Sequence, residues 1–257
     1  MSTPVIYIIS GHDPTCGAGM AADISTAEKI GIHPVVIPSM LTIQNSMNFE
    51  KADVVDFSYI ISAFEKLFCE FETSAIKTGL LPFNNSKWIS QLTDIVENRF
   101  DTIIADPVFK ASSSSVLPEI SPRWIDFISG ENRIITPNPA ELKIIAKIIG
   151  EKKLCSSISE KADFVNRKLG CSIVLTPENS SDRIMTVFSG KHSFVNFKRK
   201  KTDRNIHGTG CHFSTALGGY IAKGFSLEKS VKKAAELMEN ILEKIEKFHP
   251  DGQYYIL

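Results

Sequence analysis

Residues 5–37 read VIYIISGHDPTCGAGMAADISTAEKIGIHPVVI, and this stretch decides the fold class. Val5–Ile9 and Val35–Ile37 are short, nearly continuous apolar runs, which is typical of strands that are covered on both faces of a sheet. Between them, residues 18–30 have the longer spacing of apolar positions that indicates a helix. A strand, a helix and a second strand in this order predict a right-handed βαβ unit in a parallel sheet.

The same alternation continues along the chain. Further strands are predicted at Ala75–Lys77, Thr102–Ala105, Arg133–Ile135 and Ser172–Leu175, and further helices at residues 57–71, 84–97, 139–149 and 159–169. Ile184–Phe188 and Ser193–Phe197 instead flank a Ser-Gly-Lys-His turn and predict an antiparallel hairpin at an edge of the sheet. The pattern therefore predicts an α/β protein with a mostly parallel sheet.

Two helices are predicted to close the chain. The first begins near Thr209 and ends at Gly224, a residue suited to a left-handed helix end. The second follows Ser226, a suitable N-cap, and its apolar residues recur at spacings of four and three as far as Phe248. We interpret this stripe as a face packed on the sheet, with a coiled-coil dimer seam as the alternative.

The composition excludes several classes of protein. The 257 residues are 43% hydrophobic, and 29 Lys and Arg balance 29 Asp and Glu, which excludes a disordered chain and disfavours a dedicated nucleic-acid-binding protein. No apolar run approaches the roughly 18 residues of a membrane span, and no signal peptide is recognisable. The five cysteines are scattered and odd in number, which favours a cytoplasmic location over a disulfide framework.

Small and polar residues follow five of the predicted strands. These segments are Ser10–Gly19, Ser39–Ser46, Lys77–Gly79, Asp106–Val108 and Thr136–Glu141. Each alone is compatible with an ordinary turn. Because open parallel sheets bind ligands beyond the carboxyl ends of their strands, the shared position predicts a ligand site at this rim.

The glycines of the first segment do not indicate a nicotinamide site. Gly17, Gly19 and Ala22 match the relaxed dinucleotide fingerprint. However, the loop is too long for the tight turn of that motif, and residues 37–42 include no acid to bind the ribose. A P-loop is excluded because the sequence lacks its motif.

A second glycine segment, His207–Cys211, leads into a predicted helix. Its glycines leave backbone N–H groups open at a helix N-terminus, where a phosphate is favoured. Cys211 falls in the first helical turn, where thiol pKa values are lowered, so we interpret it either as a base or as a buried packing residue. A metal cluster of His207, Cys211 and His212 is disfavoured because adjacent helical residues point about 100° apart.

Three acidic positions are candidates for the chemistry of this rim, and two of them also have a structural interpretation. Asn138 and Glu141 match a capping box that starts a helix, yet Glu141 also falls at the ligand rim, where it could hold a water of Mg²⁺. Asp106, at the end of a strand, is a second candidate for that charge. Asp23, inside a helix, is interpreted as a surface residue or as a residue facing the pocket.

Together these segments resemble the ribokinase-type small-molecule kinases and, more narrowly, the hydroxymethylpyrimidine/phosphomethylpyrimidine kinases of thiamine synthesis. The matching segments are Gly11–Pro14, Gly17–Gly19, Ala22-Asp23, Gln44-Asn45, Lys77–Leu80, Asp106–Val108, Thr136–Asn138 with Glu141, and His207–Cys211. They occur in family order over nearly the whole chain, so we expect one domain over residues 1–257. The resemblance implies a three-layer α/β/α sandwich with a mostly parallel central sheet.

The resemblance also implies an activity. We expect transfer of the γ-phosphoryl group of ATP, with Mg²⁺, to the hydroxymethyl group of an aminopyrimidine and then to its monophosphate. The expected partners are therefore small molecules, without nucleic acid or membrane. The family is often dimeric, so a homodimer is a further expectation.

The expected site residues follow from the matching motifs. The amide of Gln44 would bind the donor and acceptor edge of the aminopyrimidine ring. The remaining pocket candidates are Gly11, Ala18, Asp23, Leu80 and Val108. Cys211 would accept the hydroxyl proton, standing where the wider family has an Asp. The transferring phosphoryl group would be stabilised by Gly208, Thr209 and Gly210, and the nucleotide and Mg²⁺ by Asp106, Asn138 and Glu141.

Two positions depart from the family pattern. Members often have Lys-Gly-Gly where this chain reads Thr176-Pro177-Glu178-Asn179, and Cys16 replaces a common Gly. The missing lysine, with residues 77–82, also resembles the pyridoxal kinases, whereas Gln44 favours the pyrimidine. Two alternatives therefore stay open: a pyridoxine or pyridoxal kinase on the same scaffold, and a pyrimidine-binding protein that has lost catalysis.

Overall fold

The computed structural model describes residues 3–109, 120–151, 157–176, 183–189, 192–199 and 204–257, of which 183–189 and 192–199 are described by their backbone. Its main-sheet strands are β1 (Val5–His12), β2 (His33–Gln44), β3 (Phe49–Val54), β4 (Ala75–Thr78), β5 (Thr102–Ala105), β6 (Arg133–Ile135), β7 (Ser172–Leu175), β8 (Arg183–Ser189) and β9 (His192–Arg199). They are ordered β3-β2-β1-β4-β5-β6-β7-β8-β9. The six central strands, β2, β1, β4, β5, β6 and β7, pair in parallel. Strand β3 at one edge and strands β8 and β9 at the other pair antiparallel.

Helices cover both faces of this sheet. They are α1 (Gly19–Lys29), α2 (Phe57–Leu67), α3 (Ser86–Glu97), α4 (Pro122–Phe127), α5 (Pro139–Ile148), α6 (Ile158–Leu169), α7 (Thr209–Ala222) and α8 (Leu227–Ile241). Helices α2 to α6 pack on one face, and α1, α7 and α8 pack on the other. The expected three-layer sandwich with an antiparallel edge hairpin is therefore confirmed.

Strand β1 shows why the strands read as continuous apolar runs. Tyr7 and Ile9 are buried against α2 and α3, while Ile6 and Ile8 are buried against the helix layer that contains α1. Successive strand residues point to opposite faces, so a strand covered on both sides needs apolar residues at every position.

One edge of the sheet differs from the expectation. Strand β2 continues seven residues past the predicted end at Ile37 and pairs with β3, which was not predicted. Residues 39–54 thus form an antiparallel hairpin at this edge of the sheet, hereafter the flap, which carries Gln44 near its tip. Strand β3 reads FEKADV and has no alternation of apolar and polar residues, which is why the sequence pattern did not indicate it.

The C-terminal helix is shorter than predicted. Helix α8 begins after the Ser226 cap as expected, but it ends at Ile241 and does not reach Phe248. Ile245 belongs instead to a short strand, β10 (Ile245–Glu246), which pairs with β11 (Tyr255–Ile256). The buried stripe of α8 packs with the residues of α7 and the sheet, which agrees with a packed helix face.

Some predicted features lie outside the described residues. These are Cys155, Pro177–Asn179 and the hairpin turn at Gly190-Lys191. Within the described ranges, no helix combines the length and the apolar character needed to cross a membrane.

Candidate active site

The carboxyl ends of the parallel strands bring the predicted polar segments to one rim. The N–H of Gly79, after β4, donates to the carbonyl of Ile9 in β1 at 2.8 Å. The hydroxyl of Ser39, in β2, donates to the carbonyl of Leu80 at 2.5 Å. The segments that follow β1, β2 and β4 are therefore joined directly, at the edge where the sequence placed a ligand site.

Two glycine-rich segments meet at this rim. We call residues 11–19 the first glycine loop and residues 207–210 the second glycine loop. Gly208 has a φ of +75°, and a Cβ atom there would overlap the carbonyl oxygen of Gly17. Only glycine satisfies both the left-handed backbone and the close approach, so the two loops contact each other through their main chains.

The helices that begin at these loops lack side-chain caps. The N-cap of α1 is Ala18 and that of α7 is Gly208, and neither side chain caps its helix. The other six helices described are capped by a side chain from Asp56, Asn85, Ser121, Asn138, Ser157 or Ser226. Because uncapped first-turn N–H groups still need an acceptor, the two helix starts form a place for an anion.

Cys211 lies between these two helix N-termini. It is in the first turn of α7 and 8% exposed, and the Gly19 N–H at the start of α1 lowers the pKa of its thiol. Burial raises the pKa of Cys211 to about 12, although the Lys77 ammonium opposes the shift. The expected lowering of this pKa is therefore wrong, because the effect of burial outweighs that of the helix dipole.

A buried ion pair lies behind Cys211. The Lys77 ammonium is 2.8 Å from Oδ1 of Asp23, and both side chains are fully buried. The hydroxyl of Thr215, on α7, donates to the same oxygen at 2.7 Å. Asp23 is therefore not the surface acid that was one interpretation, and it joins α1 to α7 and β4. Its Oδ2 atom is buried without a hydrogen-bond partner in the described chain.

Asp106 faces the second glycine loop from the end of β5. Its Oδ2 atom accepts a hydrogen bond from Ser214 at 3.1 Å, and a Cβ atom on Gly210 would lie 3.5 Å from the same oxygen. Burial raises the pKa of Asp106 to about 6, with the Lys77 charge opposing. The structure thus brings Asp106, Gly210 and the Cys211 turn together.

Asn138 and Glu141 form the predicted capping box of α5. Oδ1 of Asn138 accepts from the N–H groups of Ala140 and Glu141, and Oε2 of Glu141 accepts from the Asn138 N–H at 2.9 Å. Burial, followed by the negative charge of Asp106, raises the pKa of Glu141 well above its usual value. The two carboxyl groups are therefore electrostatically coupled, although they come from different elements.

The remaining pocket candidates follow the ends of several strands, and the structure brings Gly11 and Leu80 into contact. Gly11 is buried against Leu80, since a Cβ atom there would lie 2.9 Å from Leu80 Cδ2. Ala18, Leu80 and Val108 are partly exposed, as a pocket lining requires. Gln44 is also partly exposed, and within the described chain its side chain makes no hydrogen bond to the other candidates.

The sequence did not identify one pair of residues that joins the two glycine loops. Nε2 of His207 lies 2.8 Å from Oδ2 of Asp13, and both side chains are buried. The two residues are 194 positions apart, so no local pattern relates them. The signal in the sequence is that each belongs to one of the two glycine-rich motifs. His212 instead contacts the Thr26 hydroxyl through Nδ1 at 2.6 Å, so the two histidines serve different contacts.

Comparison with known proteins shows the family to which this chain belongs. A family model described as phosphomethylpyrimidine kinase matches residues 13–254. The bifunctional thiamine biosynthesis protein ThiDN of Methanocaldococcus jannaschii is 30% identical over 233 residues, covering 90% of this chain and 51% of that protein. The chain likewise spans about half the length of other curated relatives, from Arabidopsis thaliana and rice.

Other relatives match along most of their length. The hydroxymethylpyrimidine/phosphomethylpyrimidine kinase of Aquifex aeolicus is 26% identical over 250 residues, covering 93% of this chain and 94% of that protein. Among solved structures, the pyridoxal kinase of Staphylococcus aureus in complex with pyridoxal has a TM-score of 0.85 at 18% identity, covering all of this chain and 94% of that one. This structural likeness shows the fold, and the family model shows the membership. The chain belongs to the phosphomethylpyrimidine kinase family.

Proposed function

We propose that the protein is a Mg²⁺- and ATP-dependent kinase that phosphorylates 4-amino-5-hydroxymethyl-2-methylpyrimidine and then its monophosphate in thiamine biosynthesis. The family membership and the kinases among its relatives support this substrate class. The observation that carries the proposal is the position of Cys211 between two helix N-termini without side-chain caps. Such a site can hold a phosphoryl group beside an acceptor hydroxyl.

The second glycine loop supplies the proposed phosphoryl site. Gly210 is exposed and Gly208 and Thr209 are partly exposed, so backbone N–H groups of this turn are open to a ligand. The hydroxymethyl oxygen forms the new bond to the γ-phosphorus while the bridging oxygen leaves with ADP. Donors that are fixed before the reaction stabilise the charge of this transfer without reorganisation.

Cys211 is the proposed acceptor of the hydroxyl proton. With a pKa of about 12 its thiol is protonated at neutral pH, so only a small fraction is active as a base. Lys77 and the Gly19 N–H both lower this pKa, and they favour the thiolate when it forms. We therefore expect a base whose activity increases with pH.

Asp106 and Glu141 fit a magnesium site. Asp106 is buried and Glu141 is partly buried, and the charge of Asp106 raises the pKa of Glu141, so a divalent cation would relieve their repulsion. Mg²⁺ is usually held by one or two carboxylates, with water and phosphate oxygens as its other ligands. The ion would neutralise phosphate charge. Asn138 supports the site by fixing the Glu141 carboxylate.

The likeness to the Staphylococcus aureus pyridoxal kinase favours a second candidate, a pyridoxal kinase on the same scaffold. The deciding experiment measures ATP-dependent turnover of hydroxymethylpyrimidine, its monophosphate and pyridoxal side by side. We expect kcat/KM for the pyrimidines to exceed that for pyridoxal by about 100-fold or more. Turnover of pyridoxal alone would reject the pyrimidine assignment, and pyrimidine binding without turnover of any substrate would support the non-catalytic alternative.

The amide of Gln44 is proposed to hydrogen-bond to the edge of the aminopyrimidine ring. Ala18, Leu80 and Val108 are proposed to line the pocket around that ring. Replacing Gln44 by Leu should raise the pyrimidine KM about tenfold or more and leave the KM of ATP within about twofold, because an amide pair is lost. Ile43→Ala, on the same strand and 47% exposed, is the matched control and should leave both constants unchanged. An unchanged pyrimidine KM in Gln44→Leu would show that the ring is recognised elsewhere.

We also propose a cytoplasmic location, which the free thiols of Cys16, Cys69, Cys171 and Cys211 support. The homodimer expected from the resemblance stays a prediction. Sedimentation of the purified protein over a range of concentrations tests it.

A further inference from the structure

The first and second glycine loops are held together at Asp13. Its carboxylate accepts hydrogen bonds from the Thr15 N–H and hydroxyl, from the Ala18 N–H at 3.0 Å and from Nε2 of His207 at 2.8 Å. Burial opposes ionisation, but these bonds outweigh it and hold the pKa of Asp13 below its usual value. Asp13 therefore fixes the internal shape of the first glycine loop and attaches it to the residue that begins the second.

The C-terminal segment contacts both sides of this junction. The N–H of His207 donates to the Tyr254 carbonyl at 2.8 Å, and the Tyr254 N–H donates to the Asn205 carbonyl at 2.9 Å. The Tyr255 ring meets the His207 ring edge-on, with centroids 5.9 Å apart. A Cβ atom on Gly17 would lie 2.6 Å from the Tyr255 ring. Tyr255 thus contacts His207 and the first glycine loop at once.

The same segment reaches the flap. A Cβ atom on Gly252 would overlap the hydroxyl of Ser46, so the C-terminal turn lies directly against the flap tip, two residues from Gln44. The segment is itself held by the pairing of β10 with β11, in which Glu246 is opposite Tyr255. One short piece of chain, residues 245–257, therefore contacts all three loops that surround the proposed reaction.

We propose that the C-terminal segment, through Tyr255 and His207, sets the distance between the first and second glycine loops and so between the bound acceptor and the phosphoryl site. This inference rests on the proposed function, and it makes both residues positioning residues: His207 acts through Asp13, and Tyr255 acts through Gly17 and His207. They touch neither substrate nor nucleotide in this account. The segment acts by holding the reacting groups in line. A displacement of these groups by about 1 Å lowers the rate about 100-fold.

Kinetics separates positioning from general stability. Tyr255→Ala should lower kcat by about tenfold or more, measured well below its unfolding temperature, while the dissociation constant of ATP changes by less than about threefold. Tyr255→Phe keeps the ring and should restore kcat. His207→Gln keeps a donor for Asp13 and should retain more kcat than His207→Leu. Leu257→Ala, on the same segment and 54% exposed, is the control and should behave as wild type.

Hydrogen exchange supplies a readout that does not need turnover. Amides of residues 11–19 and 205–211 should exchange faster in Tyr255→Ala than in wild type or Leu257→Ala, while exchange in β4 and β5 stays the same. Wild-type kcat in Tyr255→Ala, or unchanged exchange in both segments, would overturn the proposal. If the wild type turns over no pyrimidine, the proposed function fails, while the exchange result still decides whether the segment positions the loops.

Discussion

The ammonium of Lys77 lies 2.8 Å from the carboxylate of Asp23, with neither side chain exposed. The pair joins the end of β4 to α1, and Thr215 extends it to α7. Its charge also reaches Cys211, whose pKa the Lys77 ammonium lowers. The ion pair therefore links the stability of the rim to the chemistry proposed for it.

Removing one partner of this pair should be costly. Lys77→Met leaves a buried, unpaired carboxylate and should lower the free energy of unfolding by about 3–5 kcal/mol, and Asp23→Asn should do the same for the ammonium. The double variant should cost clearly less than the sum of the single changes, because no buried charge is left unpaired. Urea unfolding measures all three, and strictly additive losses would contradict the coupling.

Gly208 should tolerate no side chain. Gly208→Ala combines a left-handed backbone with overlap of the Gly17 carbonyl, so it should separate the two glycine loops and lower kcat by about 100-fold or more. Gly224→Ala is the matched control, since its φ is +82° but a Cβ atom there meets nothing within 4 Å. It should cost about 1 kcal/mol of stability and leave kcat unchanged. Equal activities in the two variants would show that the contact has no role.

Cys16 occupies a glycine-like position. Among the described residues it is the non-glycine residue with positive φ, at +58°, and it is exposed. Cys16→Gly should raise the free energy of unfolding by up to about 1 kcal/mol, because relief of strain exceeds the added entropy of the unfolded chain. Cys16→Val should lower it. Cys69→Gly, at an exposed cysteine with ordinary φ, should also lower it, and stabilisation there would point to loss of a thiol as the cause.

The raised pKa of Cys211 predicts an alkaline pH dependence. A base must be deprotonated to act, and a pKa of about 12 means that the thiolate fraction increases tenfold per pH unit below it. The logarithm of kcat should therefore rise with a slope of about one between about pH 7 and about pH 9. Cys211→Asp should flatten this range, since a carboxyl ionises at lower pH. A flat wild-type profile would remove Cys211 as the base.

The sequence predicted the parallel strands and the rim because both depend on local pattern. Strand β5 matches its predicted bounds, Thr102–Ala105, since a fully buried strand needs an unbroken apolar run. Residues 49–54 lack such a pattern because every residue of β3 is exposed or partly exposed, so neither face of this strand needs an unbroken apolar run. The sequence predicts too long a helix α8, because the apolar spacing continues through Ile245. In the structure Ile245 belongs to β10 and pairs with Ile256.

The site was predicted by motif and completed by tertiary structure. Cys211 and the glycines were identified from their place before a helix. The partners that decide their behaviour are distant in sequence, as with His207 and Asp13 or Thr215 and Asp23. No local sequence pattern shows how deeply an ionisable side chain will be buried. The raised pKa of the Cys211 thiol could therefore be derived only from the folded chain.

The most direct test of the account is the product formed from ATP and hydroxymethylpyrimidine, identified by mass spectrometry, with wild-type protein and Cys211→Ala. The account predicts that the wild type forms the monophosphate and then the pyrophosphate. It predicts that Cys211→Ala binds the pyrimidine with a dissociation constant within about threefold of the wild type, while its kcat is lower by about 100-fold or more. Absence of phosphorylated pyrimidine with the wild type, or full kcat in Cys211→Ala, would contradict it.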